Sequence, residues 1–307
     1  MPHRPAASTR RPAHLLARLA LVPLLAVTAL LATGWDSASS AKATATTPPQ
    51  TASSPRAMWV WDTSTPAATV ALAQQAGVGQ LFVAVPPRLP SSSVLPQVRE
   101  ISQRAATAGI RVDALGGDPG WVDNPTWVVD NWLRPAMGTG LFTGVHVDIE
   151  PYTTSAWPTD QAGVVQRYLS TLDALVAAAA PAAVEADVPF WLHEVPAGAS
   201  TLDREILRRV AGVSVMAYRD TAAGDDGSIA LATPSITAAT ELGRHARVGQ
   251  ETNDLGDDPV AQKQTFYGQT RTELEQQVAQ IGAAFAGQPG YTGIAIHDSV
   301  GYAALAP

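Results

Sequence analysis

The chain of 307 residues has no cysteine. That excludes disulfides, thiolate metal sites, a cysteine nucleophile and a lipid-bearing cysteine. Lysine is nearly as scarce: Lys42 and Lys263 are the only two, and arginine supplies the rest of the 20 basic residues. Against 27 acids this leaves a net charge of −7. A negative surface is the wrong sign for gripping phosphates, so nucleic acid is not an expected partner. Short repeats are missing too, which rules out a collagenous or coiled-coil fibre. No H-E-x-x-H segment points to a zinc hydrolase and no G-x-S-x-G segment to a serine triad, so no metal or cofactor is expected. What the chain does have is 46% apolar and 15% charged residues, enough to bury a sizeable core rather than stay disordered.

The first residues read as an address. Arg4, Arg10, Arg11 and Arg18 precede any acid, Leu19 to Ala32 is an apolar run broken by Pro23, and Ala41-Lys42-Ala43 supplies a small-residue cleavage pattern. This is the three-part layout of a secretory signal peptide over 1–43, and the run is short for a membrane span. The general secretory route fits, and the pair Arg10-Arg11 is compatible with twin-arginine export. Five of the 20 basic residues and one of the 27 acids fall in the first 43 positions, so cleavage leaves 15 against 26, a net of −11. The expected product is secreted, acidic and monomeric, with no stable membrane association. Residues 44–56 form a Thr/Ser/Pro-rich linker with nothing to bury, and the folded domain is expected over 57–307.

From Met58 onward short apolar runs recur about every 30 residues, each followed by a helical pattern. The runs are Met58–Trp61, Gln80–Val85, Arg111–Gly117, Gly144–Glu150, Ala183–Phe190, Gly212–Arg219, Arg247–Glu251 and Gly293–Asp298. Helical patterns cover Ala67–Ala76, Leu95–Ala108, Gln161–Ala180, Ser200–Ala211, Ile236–His245 and Thr272–Ala286. Alternating strands and helices argue for a parallel sheet, and eight units in about 250 residues fit a (β/α)8 TIM barrel. An open doubly wound sheet would want a Gly-rich phosphate loop after its first strand, where this chain has Asp62-Thr63-Ser64-Thr65-Pro66. In a TIM barrel the chemistry sits where strands end. The strand ends here carry Trp61 and Asp62, Asp118 and Trp121, Asp148 and Glu150, Asp187 and Trp191, Tyr218 and Arg219, Glu251, and His297. Asp62 and Asp118 also suit plain turn and cap roles.

The sharpest segment is Phe142–Tyr152, FTGVHVDIEPY. Strand alternation puts His146, Asp148 and Glu150 on one face and Val145, Val147 and Ile149 on the other. The apolar set suits the helix-facing side, so the polar set points into the barrel and climbs to its mouth at Glu150. Two carboxylates one pleat apart can raise each other's pKa, a route to a Glu that stays protonated near neutral pH and acts as general acid. Ion pairing of Asp148 or Glu150 with Arg219 or Arg247 is the alternative use of such acids.

D-x-E at the end of strand four, followed by Met216-Ala217-Tyr218 on strand six, resembles the family 18 chitinases and their relatives. The resemblance implies Glu150 as general acid, Asp148 as the group that orients and stabilises the substrate's acetamido group, and Tyr218 as a further contact to it. The family's longer D-x-x-D-x-D-x-E pattern has Asp where this chain has Thr143 and His146, and the residue after the Tyr is Arg219 instead of Asp. A second resemblance, to clan A glycosidases, implies Glu150 as acid/base and Glu251, ending strand seven, as nucleophile; the clan's Asn before the first Glu is Ile149 here. Trp61, Trp121, Trp157 and Trp191 are candidates to stack on sugar rings, since flat aromatics cover their C–H faces. Asp187, Arg219 and His297 are expected to contact substrate as well. The expected function is a secreted glycosidase acting on an extracellular or cell-wall polysaccharide. The alternative is a secreted carbohydrate-binding barrel without chemistry.

Overall fold

The structure, a computed structural model, describes residues 56–307. The expected leader and all but the last residue of the linker lie outside the described residues. Eight strands close into a parallel barrel: β1 (Arg56–Val60), β2 (Val78–Ala84), β3 (Arg111–Gly116), β4 (Gly144–Val147), β5 (Ala183–Pro189), β6 (Gly212–Met216), β7 (His245–Glu251) and β8 (Tyr291–His297). Each pairs with the next in sequence, and β8 closes on β1. This is the TIM barrel expected from the sequence, with strand boundaries within three residues of the expected ones. The Arg56 guanidinium at the start of β1 grips Glu275 through two 2.7 Å hydrogen bonds. No helix among the described residues is long and apolar enough to cross a membrane.

Local chemistry explains where the helices sit. Asp160 caps the helix Gln161–Ala179 by accepting from Gly163 N, and Thr270 with Glu273 forms a reciprocal capping box on Arg271–Ala284. The sequence reading gave no helix between β3 and β4, yet the chain is helical from Pro125 to Met137, with a π turn at Val129–Leu133 in its middle. Two prolines and this widened turn mask the helical period. The segment is nonetheless anchored: Trp132 is fully buried and its indole donates to Val85 O at 3.0 Å.

The apolar core lies mainly between barrel and helices. Val145, Val147 and Ile149 face outward from the β4 segment, and Tyr168, Leu172 and Leu175 of the helix Gln161–Ala179 are buried in the same cluster. Burial of each such side chain is worth about 1.5–3 kcal/mol. Inside the barrel the apolar set is small: Ala57, Trp59, Phe82, Leu115 and Ala295. Other inward-facing positions hold a charged floor. Arg247 donates to Glu185 and to Gln80, both at 2.6 Å, and Gln80 donates to Asp113 at 2.6 Å. His245 completes the network at 2.9 Å from Glu185. Buried charges are tolerated when mutually paired in this way. Burial pushes the Glu185 carboxyl up, but its contacts with His146 and His245 and the charge of Arg247 prevail and hold it well below the ordinary carboxylate range.

Candidate active site

The ladder between β4 and β5 ends at Val147. The chain stays extended past it, with Asp148 N donating to Gly116 O at 3.0 Å, until Pro151 opens a 3-10 turn. This passage runs so close to β3 that a Cβ on Gly117 would come within 1.7 Å of Asp148 O, so only glycine fits there. Asp148 and Glu150 thereby stand at the C-terminal rim, each half-buried. Among the described residues, no arginine clasps either of them. Arg219 is bound to Asp226 at 2.7 Å and stacks its guanidinium over Phe190, and Arg247 belongs to the floor. Arg219 therefore does not reach the mouth as a substrate contact; its charge is spent on the loop after β6.

Burial is the main influence on Asp148, followed by the charges of Asp187 and Glu150; together they hold its carboxyl well above the ordinary carboxylate range. Desolvation and like charges both disfavour the ionised form of a carboxyl. Its Oδ1 is buried without a hydrogen-bond partner. Glu150 accepts a short hydrogen bond from the hydroxyl of Tyr152, a residue the sequence reading passed over although it lies two positions on. Tyr152 packs in turn against Trp191 and Trp157, with ring centroids 5.0 and 6.4 Å away. Trp191 and Trp157 so form one wall beside Glu150.

Tyr218 sits two residues beyond β6, half-buried, its ring accommodated by Gly249 on β7, where a Cβ would come within 3.0 Å of it. Burial, then Glu251 and the other acids of the mouth, push its hydroxyl well above its ordinary value, so it remains a neutral donor. Glu251 itself is 4% exposed and saturated with donors. Its Oε1 accepts from Thr252 N, Asn253 N and Asn253 Nδ2 at 2.8–2.9 Å, and its Oε2 lies 2.7 Å from His297 Nδ1. Burial works against ionisation of Glu251, but these partners prevail and lower its pKa.

His297 links this acid to an aromatic. Trp61 Nε1 donates to His297 Nε2 at 3.0 Å. Burial opposes a charged His297 while Glu251 favours it, raising its pKa to about 9. The indole is a donor only, so its position calls for a lone pair on Nε2 and the proton on Nδ1. These two indications conflict at neutral pH, and the geometry of a donor-only partner decides for the neutral ring. Trp61 then lines a cavity of about 830 Å³ together with Trp121, Trp127, Pro86 and Pro87. Asp118 is its one charged wall residue, and that carboxylate caps Gly120 N at 2.7 Å, the plain role foreseen for it. Trp127, 43% exposed at the rim, was not among the expected contacts.

Asp187 was expected to contact substrate at the mouth but is enclosed by its neighbours. It is 3% exposed, with Trp59 Nε1 donating to Oδ2 at 2.9 Å and His146 Nε2 lying 2.7 Å from Oδ1. The structure therefore brings together Trp61, Asp148, Glu150, Tyr218, Glu251 and His297 around one mouth, sets Trp121 and Trp191 on its walls, and places Asp187 and Arg219 elsewhere. Among the described residues, no group of three or more acids and histidines is arranged to hold a metal ion.

No protein-family model matches the chain, and no curated protein matches it in sequence. Solved structures do. A plant class V chitinase mutant from Cycas revoluta, in complex with (GlcNAc)3, aligns over 80% of this chain and 95% of its own at 13% identity, with a TM-score of 0.55. Catalytic domain 2 of the Ostrinia furnacalis Group II chitinase (TM-score 0.45, 10% identity) and the Bacillus cereus spore cortex-lytic enzyme SleL (0.46, 11%) each align over 64% of this chain. The chain spans only 64% and 51% of those two. At such identity the likeness is one of fold: the barrel is the TIM barrel on which the Cycas chitinase is built.

Proposed function

We propose that the protein is an exported glycoside hydrolase acting on an N-acetylated extracellular or cell-wall polysaccharide, with Glu150 as general acid. The observation that carries the reading is the mouth itself: Asp148, Glu150 and Tyr218 are half-buried, and among the described residues no arginine or lysine holds either carboxylate. The saturation of Glu251 by four donors favours the substrate's own acetamide as nucleophile over Glu251. The aromatic cavity, with a single and already satisfied charge, suits uncharged sugar rings.

In this mechanism Glu150 gives its proton to the leaving glycosidic oxygen as the C1–O bond breaks. The acetamide carbonyl oxygen bonds to C1 and closes a five-membered ring, whose N–H proton stays on nitrogen and is donated as a hydrogen bond to a carboxyl oxygen of Asp148. Tyr218, neutral at working pH, donates a hydrogen bond to the same group. Glu150, now a carboxylate, takes a proton from water as the water oxygen bonds to C1, which opens the ring and restores the acid. Two displacements at C1 give net retention.

The test is release of reducing ends from a panel of N-acetylglucosamine polymers and peptidoglycan, alongside calorimetric binding of an oligosaccharide. Wild type should cleave at least one glycan; Glu150→Gln should lose turnover and keep binding. Wild type that binds oligosaccharide yet cleaves nothing on the panel would make the protein a binding barrel without chemistry. Export is tested by the N-terminus of the protein recovered from culture medium, expected at Thr44.

A further inference from the structure

Just below the mouth the barrel sets two carboxylates side by side. The β4–β5 ladder pairs His146 with Glu185 and Val147 with Ala186 and ends there; Asp148 and Asp187 are the next residue on each side, near enough for the Asp187 charge to act on Asp148. Both belong to the inward-facing set. Neighbouring strands lie about 4.8 Å apart, too near for two desolvated carboxylates to stay ionised together without a cation for each. The donors go to one of them. Asp187 has the Trp59 indole on one oxygen and the His146 ring on the other, whereas Asp148 Oδ1 is buried with none. The His146 ring is stacked on Phe82 at 3.6 Å with its Nε2 on Asp187 at 2.7 Å, while its buried Nδ1 makes no hydrogen bond among the described residues.

We propose that His146 and Asp187 are a positioning pair for Asp148: they fix the negative charge on β5, so that Asp148 keeps a proton in the resting protein and offers the substrate a neutral carboxyl. Its catalytic meaning rests on the glycosidase reading above. The surroundings agree. Burial, then Asp187 and Glu150, favour the protonated form of Asp148, against the weaker pull of His146. Tyr218 from β6 and Tyr168 from the helix Gln161–Ala179 face the same charges and are themselves held protonated by burial and by these acids. Burial disfavours a charged His146, but Asp187 and Glu185 overcome it and raise its pKa to about 9, as an ion pair requires. The carboxylate that the resemblance would put at position 146 is thus supplied from the next strand, with a cation beside it.

Asp187→Asn tests the pair on the full chain. The amide keeps the shape: its oxygen accepts from Trp59 and its nitrogen donates to a neutral His146. Removing the neighbouring charge should move the titration midpoint of the Asp148 carboxyl, followed by carbon NMR with Asp148→Asn as the assignment control, downward by about one pH unit or more. The alkaline limb of kcat/KM should move down with it. Trp59→Phe, which takes one donor from Asp187, should shift the midpoint in the same direction by less. A purely structural role would lower stability and leave the midpoint in place, so an unchanged Asp148 titration in either folded variant overturns the proposal. If the midpoint moves but wild type cleaves no glycan, the pair stands and the glycosidase reading falls.

Discussion

Glu251→Gln separates a buried positioning acid from a nucleophile. The glutamine oxygen can still accept from Thr252 N, Asn253 N and Asn253 Nδ2, so three of the four hydrogen bonds survive. The fourth does not. Glutamine Nε2 would face the Nδ1–H of His297, and if the ring moves its proton to Nε2 that proton meets the Trp61 indole N–H instead. Either way one donor pair is left opposed. The loss of a charge-assisted hydrogen bond, about 1.5–3 kcal/mol, joins an unsatisfied buried donor, about 1–3 kcal/mol. A total near 3 kcal/mol lowers Tm by roughly 6–12 °C in a domain of this size. The sign with pH follows from the lowered pKa of Glu251: its contribution is fully present above the ordinary value of 4.5 and is lost as pH falls through the folded-state value. Urea unfolding at pH 7 and pH 4 should therefore show a gap between wild type and variant that narrows in acid. Kinetically the variant should raise KM, because Trp61 loses its anchor, while kcat falls by about tenfold or less. A variant as stable as wild type with kcat reduced by about 10⁴-fold or more would refute this reasoning and make Glu251 the nucleophile.

The barrel floor and the cavity rim give two further expectations. Glu185→Gln leaves Arg247 buried and short of its counter-charge, which should cost about 3–5 kcal/mol in chemical denaturation at pH 7. Since Glu185 titrates below its ordinary 4.5, wild-type stability should decline as pH falls below that value and the variant's decline should be shallower; parallel pH curves would show that Glu185 is not held ionised. Trp127→Ala, at an exposed rim position, should change stability by less than about 0.5 kcal/mol but weaken polysaccharide binding by about 1 kcal/mol, roughly five-fold. Unchanged affinity in a co-sedimentation assay would remove the cavity from the sugar path.

The barrel was legible because each strand pairs an apolar outward face with an audible stop: Pro151 after the D-x-E segment is one, and Pro86 after β2 another. The helix Pro125–Met137 was not, since its prolines and π turn read as loop. For the site, alternation correctly sorts His146, Asp148 and Glu150 from Val145, Val147 and Ile149. Alternation gives the direction of a side chain but not its depth along the barrel or its partner. That is why Asp187, inward but enclosed, and Arg219, turned back onto Asp226, were misplaced. Tyr152 on Glu150 and Trp59 on Asp187 depend on contacts of the folded chain that no spacing in the sequence announces.

The central claim is that the glycosidic oxygen is brought to Glu150 with the acetamide over Asp148 and Tyr218. A crystal structure of Glu150→Gln with a bound N-acetylglucosamine oligomer tests it most directly. The account predicts the scissile oxygen about 2.6–3.2 Å from the side chain at position 150 and the acetamide within hydrogen-bond reach of both partners. A sugar chain lying only along the Trp61–Trp121–Trp127 cavity, or one whose C1 faces Glu251, would contradict it.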